Sequence, residues 1–148
     1  MAELNALDLI KDDHKRLKDM FKRAMDTDDA AARANLLNQI RAELVAHERI
    51  EEDIFYPALR AASEKAKDIV LEGYEEHHVI DVILDEMFTV PEEAEQWAAK
   101  LKVLHENLEH HMEEEEGEMF KRARKSMSAE MLEELGHKMR QARETASA

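Results

Sequence analysis

The stretch Leu101-Lys-Val-Leu104-His-Glu-Asn-Leu108-Glu-His-His111-Met-Glu-Glu-Glu115-Glu-Gly-Glu-Met119 decides the fold. Leu101, Leu104, Leu108, His111, Glu115 and Met119 recur at steps of three and four, the spacing of one helix face. An apolar stripe of this kind faces a core, and it carries His111 and Glu115 inward with it. The same pattern stands upstream as Leu36 or Leu37, Ile40, Leu44, His47, Glu51, Ile54 and Ala58. Each His-x-x-x-Glu copy follows a lone histidine at nearly equal distance: His14 lies 33 residues before His47, and His77 lies 34 before His111. His14 falls on the stripe Ile10, Leu17, Phe21, Ala24, and His77 on Val70, Tyr74, Ile80, Leu84, Met87. A duplicated helix pair of this design places four imidazoles and two carboxylates around one cavity. That is a ligand set for two metal ions.

The rest of the chain supports helices. Its 148 residues hold 3 Gly and 2 Pro, and Ala, Glu, Leu, Lys and Arg dominate. We expect one domain over residues 1–148, an all-α, up-down-up-down four-helix bundle over about residues 4–125 with an additional C-terminal helix at about 128–146. Within it, Pro57 should bend or shorten the second helix, Gly73 should weaken the third, and Pro91 suits the first position of the fourth. Ser128 suits the cap of the last, whose apolar positions are Met131, Leu132, Leu135 and Met139. That helix would either cover the bundle or pair with a second subunit, so both monomer and homodimer stay open. Trp97 and the nine Met read as core filling.

A net charge of −14 with no basic block argues against nucleic acid and anionic membranes as partners. The absence of cysteine excludes disulfides and thiolate sites. No apolar run is long enough for a bilayer, and MAELNALDLIKDD lacks the blocks of a signal peptide, which leads us to expect a cytoplasmic protein.

A single histidine on an apolar stripe is commonly a hydrogen-bonded core residue. Two carboxylates on such stripes are another matter, because an unpaired buried carboxylate costs several kcal/mol. Glu51 and Glu115 need cations, and the stripes offer no Lys or Arg. Periodicity also separates these residues from their neighbours. His110 shares its face with Glu106 and Glu114, and His78 shares its face with Glu75 and Asp85, so both point to solvent. Glu113, Glu114 and Glu116 read as a solvated face. A ferritin-like carboxylate site would need two core Glu-x-x-His motifs. Glu75-x-x-His78 lies off the stripe, and Glu134-x-x-His137 lies in the terminal segment.

In order, spacing and context the chain resembles the hemerythrin-like HHE cation-binding family. The residues carrying the resemblance are Asp13-His14-x-x-Leu17, His47-Glu-Arg-Ile-Glu51 with Phe55-Tyr56-Pro57, Glu76-His77-x-x-Ile80, and His111-Met-Glu-Glu-Glu115-Glu116 with Phe120. The resemblance covers roughly residues 5–125. It implies a bundle holding two oxo- or hydroxo-bridged iron ions per chain, His14 and His47 on one, His77 and His111 on the other, Glu51 and Glu115 bridging. Oxygen-carrying members have a further His four residues after the third-helix ligand, where this chain has Asp81. Asp81 is therefore a candidate extra ligand or supporting residue, and Tyr74, one turn before His77, a candidate neighbour. An anionic donor in place of an imidazole favours the ferric state. The expected function is reaction with a small oxidant (oxygen, hydrogen peroxide or nitric oxide), with catalase-like or peroxidase-like turnover as the candidate enzyme activity. Oxygen binding, sensing or iron storage without turnover is the alternative.

Overall fold

The computed structural model describes residues 4–147. Residues 1–3 and 148 of the expected domain lie outside the described residues. Helix α1 is Ala6–Asp26. Helix α2 covers residues 30–62, as Ala30–Ile50, a π turn Glu51–Phe55, and Tyr56–Ala62. Helix α3 is Lys67–Met87, entered through a 3-10 turn at Glu64–Ala66. Helix α4 covers residues 95–126, as Glu95–Glu114, a second π turn Glu115–Met119, and Phe120–Ser126. Helix α5 is Ala129–Ser147. There is no strand among the described residues, and no helix among them is long and apolar enough to cross a membrane.

Local chemistry sets the ends. Asn5 and Asp8 form a reciprocal capping box at the start of α1, each side chain accepting the other's backbone N–H. The Asp29 carboxylate accepts from Ala32 N–H at 2.9 Å, and the Ser128 hydroxyl from Met131 N–H at 3.1 Å. Pro91 does not open α4 as its position suggested. Residues 91–94 form a turn, and the helix starts at Glu95.

The four long helices pack as a bundle, with α1 against α2 and α4, and α3 against α4 and the C-terminal part of α2. Its apolar core falls into two groups. One gathers Ile10, Ile50, Phe55, Leu59, Val70, Met119 and Phe120; the other gathers Leu17, Phe21, Leu44, Ile80, Leu84, Leu104 and Leu108. Along every one of the four helices the crossing from one group to the other occurs at the polar residues: at His14, at His47 and Glu51, at His77, and at His111 and Glu115. A polar layer therefore divides the bundle across its middle.

Pro57 neither ends α2 nor stands far from its main irregularity. The π turn just before it lets Tyr56 N–H bond back to Glu51 C=O, one residue further than in an α-helix. That extra residue moves the inward face by one position. Ile54 and Ala58, expected inside, are only half-buried, whereas Phe55, Tyr56 and Leu59 are fully buried. In α4 the second π turn has the same effect, burying Met119 and Phe120 together.

Helix α5 lies along α1 and α2. Leu132 and Met139 are buried beneath it, while Met131, expected on the apolar face, is exposed. Arg143 binds Asp13 of α1 at 2.5 Å and Glu43 of α2 at 3.0 Å, tying the two helices together. Just before the middle of α5, Gly136 meets the chain before α1. A Cβ there would stand 2.7 Å from the Leu4 carbonyl oxygen and 2.9 Å from the Asn5 carbonyl carbon.

Two glycine substitutions should therefore change stability in opposite directions. In Gly136→Ala, overpacking against fixed backbone costs about 1–3 kcal/mol and should outweigh the helix-propensity gain of about 1 kcal/mol. In Gly117→Ala the new methyl meets nothing within 4 Å, so the gain stands alone. Urea unfolding midpoints below wild type for the first and at or above it for the second are expected. A Gly136→Ala protein more stable than wild type would show that α5 is not seated there.

Candidate metal centre

The polar layer is built from the residues that the helical register carries inward. His14, His47, His77, His111, Glu51 and Glu115 are each at most 2% exposed. His14 Nε2 lies 2.9 Å from Glu115 Oε1, and His47 Nε2 lies 3.2 Å from Glu51 Oε1. On the other side, His77 Nε2 lies 2.9 Å from Glu51 Oε1, and His111 Nε2 lies 3.4 Å from Glu115 Oε2. Each carboxylate thus touches both histidine pairs. The donor atoms fall into two groups, His14, His47, Glu51 and Glu115 in one, and Glu51, His77 and His111 in the other, with the atoms of each group within 4.8 Å of one another.

The outward nitrogens settle which way the inward ones face. His14 Nδ1 meets Glu116 at 2.6 Å, His47 Nδ1 meets Asp13 at 2.8 Å, His77 Nδ1 meets Glu52 at 2.7 Å, and His111 Nδ1 meets Glu76 at 2.7 Å. An ionised carboxylate only accepts, so every Nδ1 carries hydrogen and donates. Every neutral imidazole then presents its Nε2 lone pair to the centre, the tautomer a metal ion needs.

The four carboxylates form a closed ring. Asp13 on α1 holds the α2 histidine, Glu52 on α2 the α3 histidine, Glu76 on α3 the α4 histidine, and Glu116 on α4 the α1 histidine. Each stands one residue from an inward side chain of its own helix. One residue is about 100° of rotation, which points at the neighbouring helix rather than at the core or at water. The step is backward on α1 and α3 and forward on α2 and α4. On helices running in opposite directions those steps turn the same way, so the ring closes.

Tyr56 is the buried residue that the sequence reading left out of the site. Its Oη donates to Glu115 Oε2 at 2.8 Å, lies 3.3 Å from Glu51 Oε1, and is 3.5 Å from the Nε2 atoms of both His77 and His111. The ring stacks on His77, with centroids 5.6 Å apart. Gly73 makes room for it, because a Cβ there would stand 2.9 Å from Tyr56 Oη. The helix-weakening glycine of α3 therefore has a packing reason.

Two expected neighbours stand elsewhere. Tyr74 is half-buried, donates to the Glu52 backbone carbonyl at 3.3 Å and packs edge-on against Tyr56, one layer outside the cluster. Asp81 is in neither donor group. It faces Glu48, the buried residue after His47, and burial together with Asp81 pushes the Glu48 carboxyl up to about 10. Glu116, read as part of a solvated face, instead belongs to the ring.

The electrostatics are those of a cation site. Burial alone would lower His47 and His111, but the facing carboxylates raise both well above the ordinary histidine value, Glu51 leading for His47 and Glu115 for His111. Burial alone would raise Glu51, but His47 and hydrogen bonds with Glu115, His111 and His47 hold it well below the ordinary carboxylate value. Burial and the Glu115 and Glu51 carboxylates push the Tyr56 phenol well above its ordinary value. Even so, His47 Nε2 and Glu51 Oε2 are buried without a hydrogen-bond partner. Orphaned donor atoms aimed at one centre, in an imidazole and carboxylate set with no cysteine, fit iron.

Comparison with known proteins agrees. The Mycobacterium tuberculosis protein Rv2633c, described as uncharacterized, is 32% identical over 138 residues, covering 92% of this chain and 83% of that protein. A DNA nickase of Nostoc sp. is 24% identical over 132 residues; the alignment takes in 89% of this chain but spans 37% of the nickase's length. Among solved structures, the crystal structure of a hemerythrin HHE cation-binding domain-containing protein of Mycobacterium kansasii, a homolog of Rv2633c, matches with a TM-score of 0.85 and 27% identity. That match covers 97% of this chain and 87% of the other, so it extends into α5. Residues 5–123 match the sequence profile of the hemerythrin HHE cation-binding domain, and the chain belongs to that family.

Proposed function

We propose that the chain is a non-haem di-iron protein whose buried centre reacts with small oxidants, hydrogen peroxide foremost. The observation that carries this reading is the sealed cluster of four inward Nε2 atoms and two carboxylates with the Tyr56 phenol oxygen at its edge. His14 and His47 would hold one iron, His77 and His111 the other, and Glu51 and Glu115 would serve both. Iron bound there supplies two adjacent redox-active Lewis-acid centres in a site screened from water.

The residues supply the rest. Burial of the whole cluster keeps bulk solvent from it and suits small reactants such as oxygen, nitric oxide or peroxide. Tyr56 holds a proton at Oη beside both carboxylates, within donating distance of their oxygens. The ring carboxylates keep each Nδ1–H in place and make each Nε2 a stronger donor. Carboxylate oxygens are hard donors that favour the ferric over the ferrous state. That preference supports turnover over reversible oxygen carriage. It was expected of Asp81; with Asp81 set against Glu48, the preference rests on Glu51 and Glu115, while Tyr56 keeps its proton. The Nostoc relative's name suggests DNA, but a net charge of −14 opposes a polyanionic substrate.

Metal analysis of protein expressed with ample iron should give two iron atoms per chain. A reproducible value near zero, or a single zinc, would sink the reading. Glu51→Ala or Glu115→Ala should lose the centre while Glu114→Ala keeps it, since Glu114 is only half-buried and paired with His110 at 3.1 Å. The opposite result would mean that the inward face is misassigned. Asp13→Asn and Glu76→Gln should fill the centre with about 10–100-fold weaker affinity, the usual cost of removing a carboxylate behind a histidine ligand; unchanged affinity in a chelator competition would remove the ring from the argument.

The iron-loaded protein should release oxygen from hydrogen peroxide, two peroxides giving two waters and one dioxygen, and Tyr56→Phe should change both that rate and the visible spectrum. Reduced protein that takes up oxygen and returns it on purging through repeated cycles, with no peroxide turnover, would favour a carrier or sensor on the same site.

A further inference from the structure

We propose that Glu48 and Glu52, in a cleft that Asp81 also lines, form an outer site for a divalent cation, and that metal ions reach the buried centre through it. The proposal rests on the reading of the buried cluster as a metal centre.

An open cleft of about 330 Å³ lies beside α2 and α3, lined by Glu48, Glu52, Asp53, Asp81 and Asp85 together with Arg41 and Arg49. Five carboxylates face two guanidinium groups there, and Arg41 is engaged with Asp85 at 3.3 Å and with the Phe88 ring at 4.5 Å. Such a cleft concentrates cations from solution. Glu48 closes its inner end. Its side chain is 7% exposed, and its Oε2 is buried without a hydrogen-bond partner. Asp81 lines the same cleft and adds a second acceptor. A buried carboxylate oxygen with no donor in reach is a vacant ligand for a cation.

The outer residues adjoin the buried cluster directly. Donor atoms of Glu48, Glu52 and His77 lie within 4.8 Å of one another. His77 Nδ1 donates to Glu52 at 2.7 Å, while its Nε2 faces Glu51 at 2.9 Å. One imidazole is the partition between cleft and centre.

The duplication supplies an internal control. Counted from the ligands, Glu48 corresponds to Met112 and Asp81 to Lys18. Met112 is buried in the apolar core and Lys18 is exposed. The fold therefore works in one half without acids at these positions, and neither the bundle nor the six inward donors require them.

The test uses full-length protein and the isosteric double variant Glu48→Gln, Asp81→Asn. Iron-loaded wild type should bind one further Mn²⁺ per chain, read from loss of the free Mn²⁺ resonance signal, and the variant none. Metal-free variant should take up anaerobic Fe²⁺ about tenfold or more slowly than wild type, in line with the on-rate gain that a charged cleft provides, yet reach the same final iron content. Iron-loaded wild type that binds no Mn²⁺ overturns the outer site. A variant that loads at the wild-type rate overturns the entry role. If wild type takes up no iron at all, the buried centre has failed instead; Mn²⁺ binding by the metal-free protein, lost in the variant, then still supports the outer site, and its absence overturns it.

Discussion

The charge held across the middle of the bundle is the constraint on which the rest depends. Six ionisable side chains are buried between two apolar core halves. Placed there singly, any of them would cost several kcal/mol. They are tolerated because each imidazole is hydrogen-bonded at Nδ1 by a ring carboxylate and has Glu51 or Glu115 close to its Nε2. The outer ring has a second effect. Since every carboxylate comes from one helix and every histidine it holds from the next, the same contacts that fix the tautomers also fix the rotation of each helix against its neighbour. Helix α5 joins this system through Arg143, which shares Asp13 with His47.

The two π turns show how a helix delivers an inward carboxylate and then moves its inward face. Both begin at the inward glutamate, Glu51 in α2 and Glu115 in α4. Proline is not the shared cause, since only the first is followed by one. What they share is position. Beyond each glutamate the next buried residues are the fourth and fifth on, Phe55 with Tyr56 and Met119 with Phe120. In α2 the second of the pair brings a hydroxyl to the cluster; in α4 its counterpart Phe120 brings none.

The four-helix fold and the six inward donors were legible in the sequence because both follow from a 3.6-residue period, and that period holds through α1, through α3 and up to each glutamate. Past Glu51 it fails by one residue, which is why Ile54 and Ala58 were expected where Phe55, Tyr56 and Leu59 stand. Tyr56 was overlooked for that reason alone. The ring carboxylates escaped for another. Asp13, Glu52, Glu76 and Glu116 sit at the seams between helices, and a reading that sorts residues into inward and outward has no place for them. An available signal was adjacency: each directly precedes a lone histidine or directly follows an inward glutamate. Asp81 misled because its spacing from His77 suits an inward ligand, while buried Glu48 takes up its carboxyl.

The shared position of the π turns bears on descent. If the two halves arose by duplication of one helical hairpin, the extra residue after the glutamate was already present in that ancestor, because both copies carry it at the same place. Two such hairpins would have paired as equals, with identical surroundings for each histidine pair. The present chain has diverged from that state on one side. Tyr56 against Phe120, Asp81 against Lys18 and Glu48 against Met112 all distinguish the neighbourhood of His77 from that of His14. The donors stand alike in the two halves, and the residues around them make the two ends of the cluster chemically unequal.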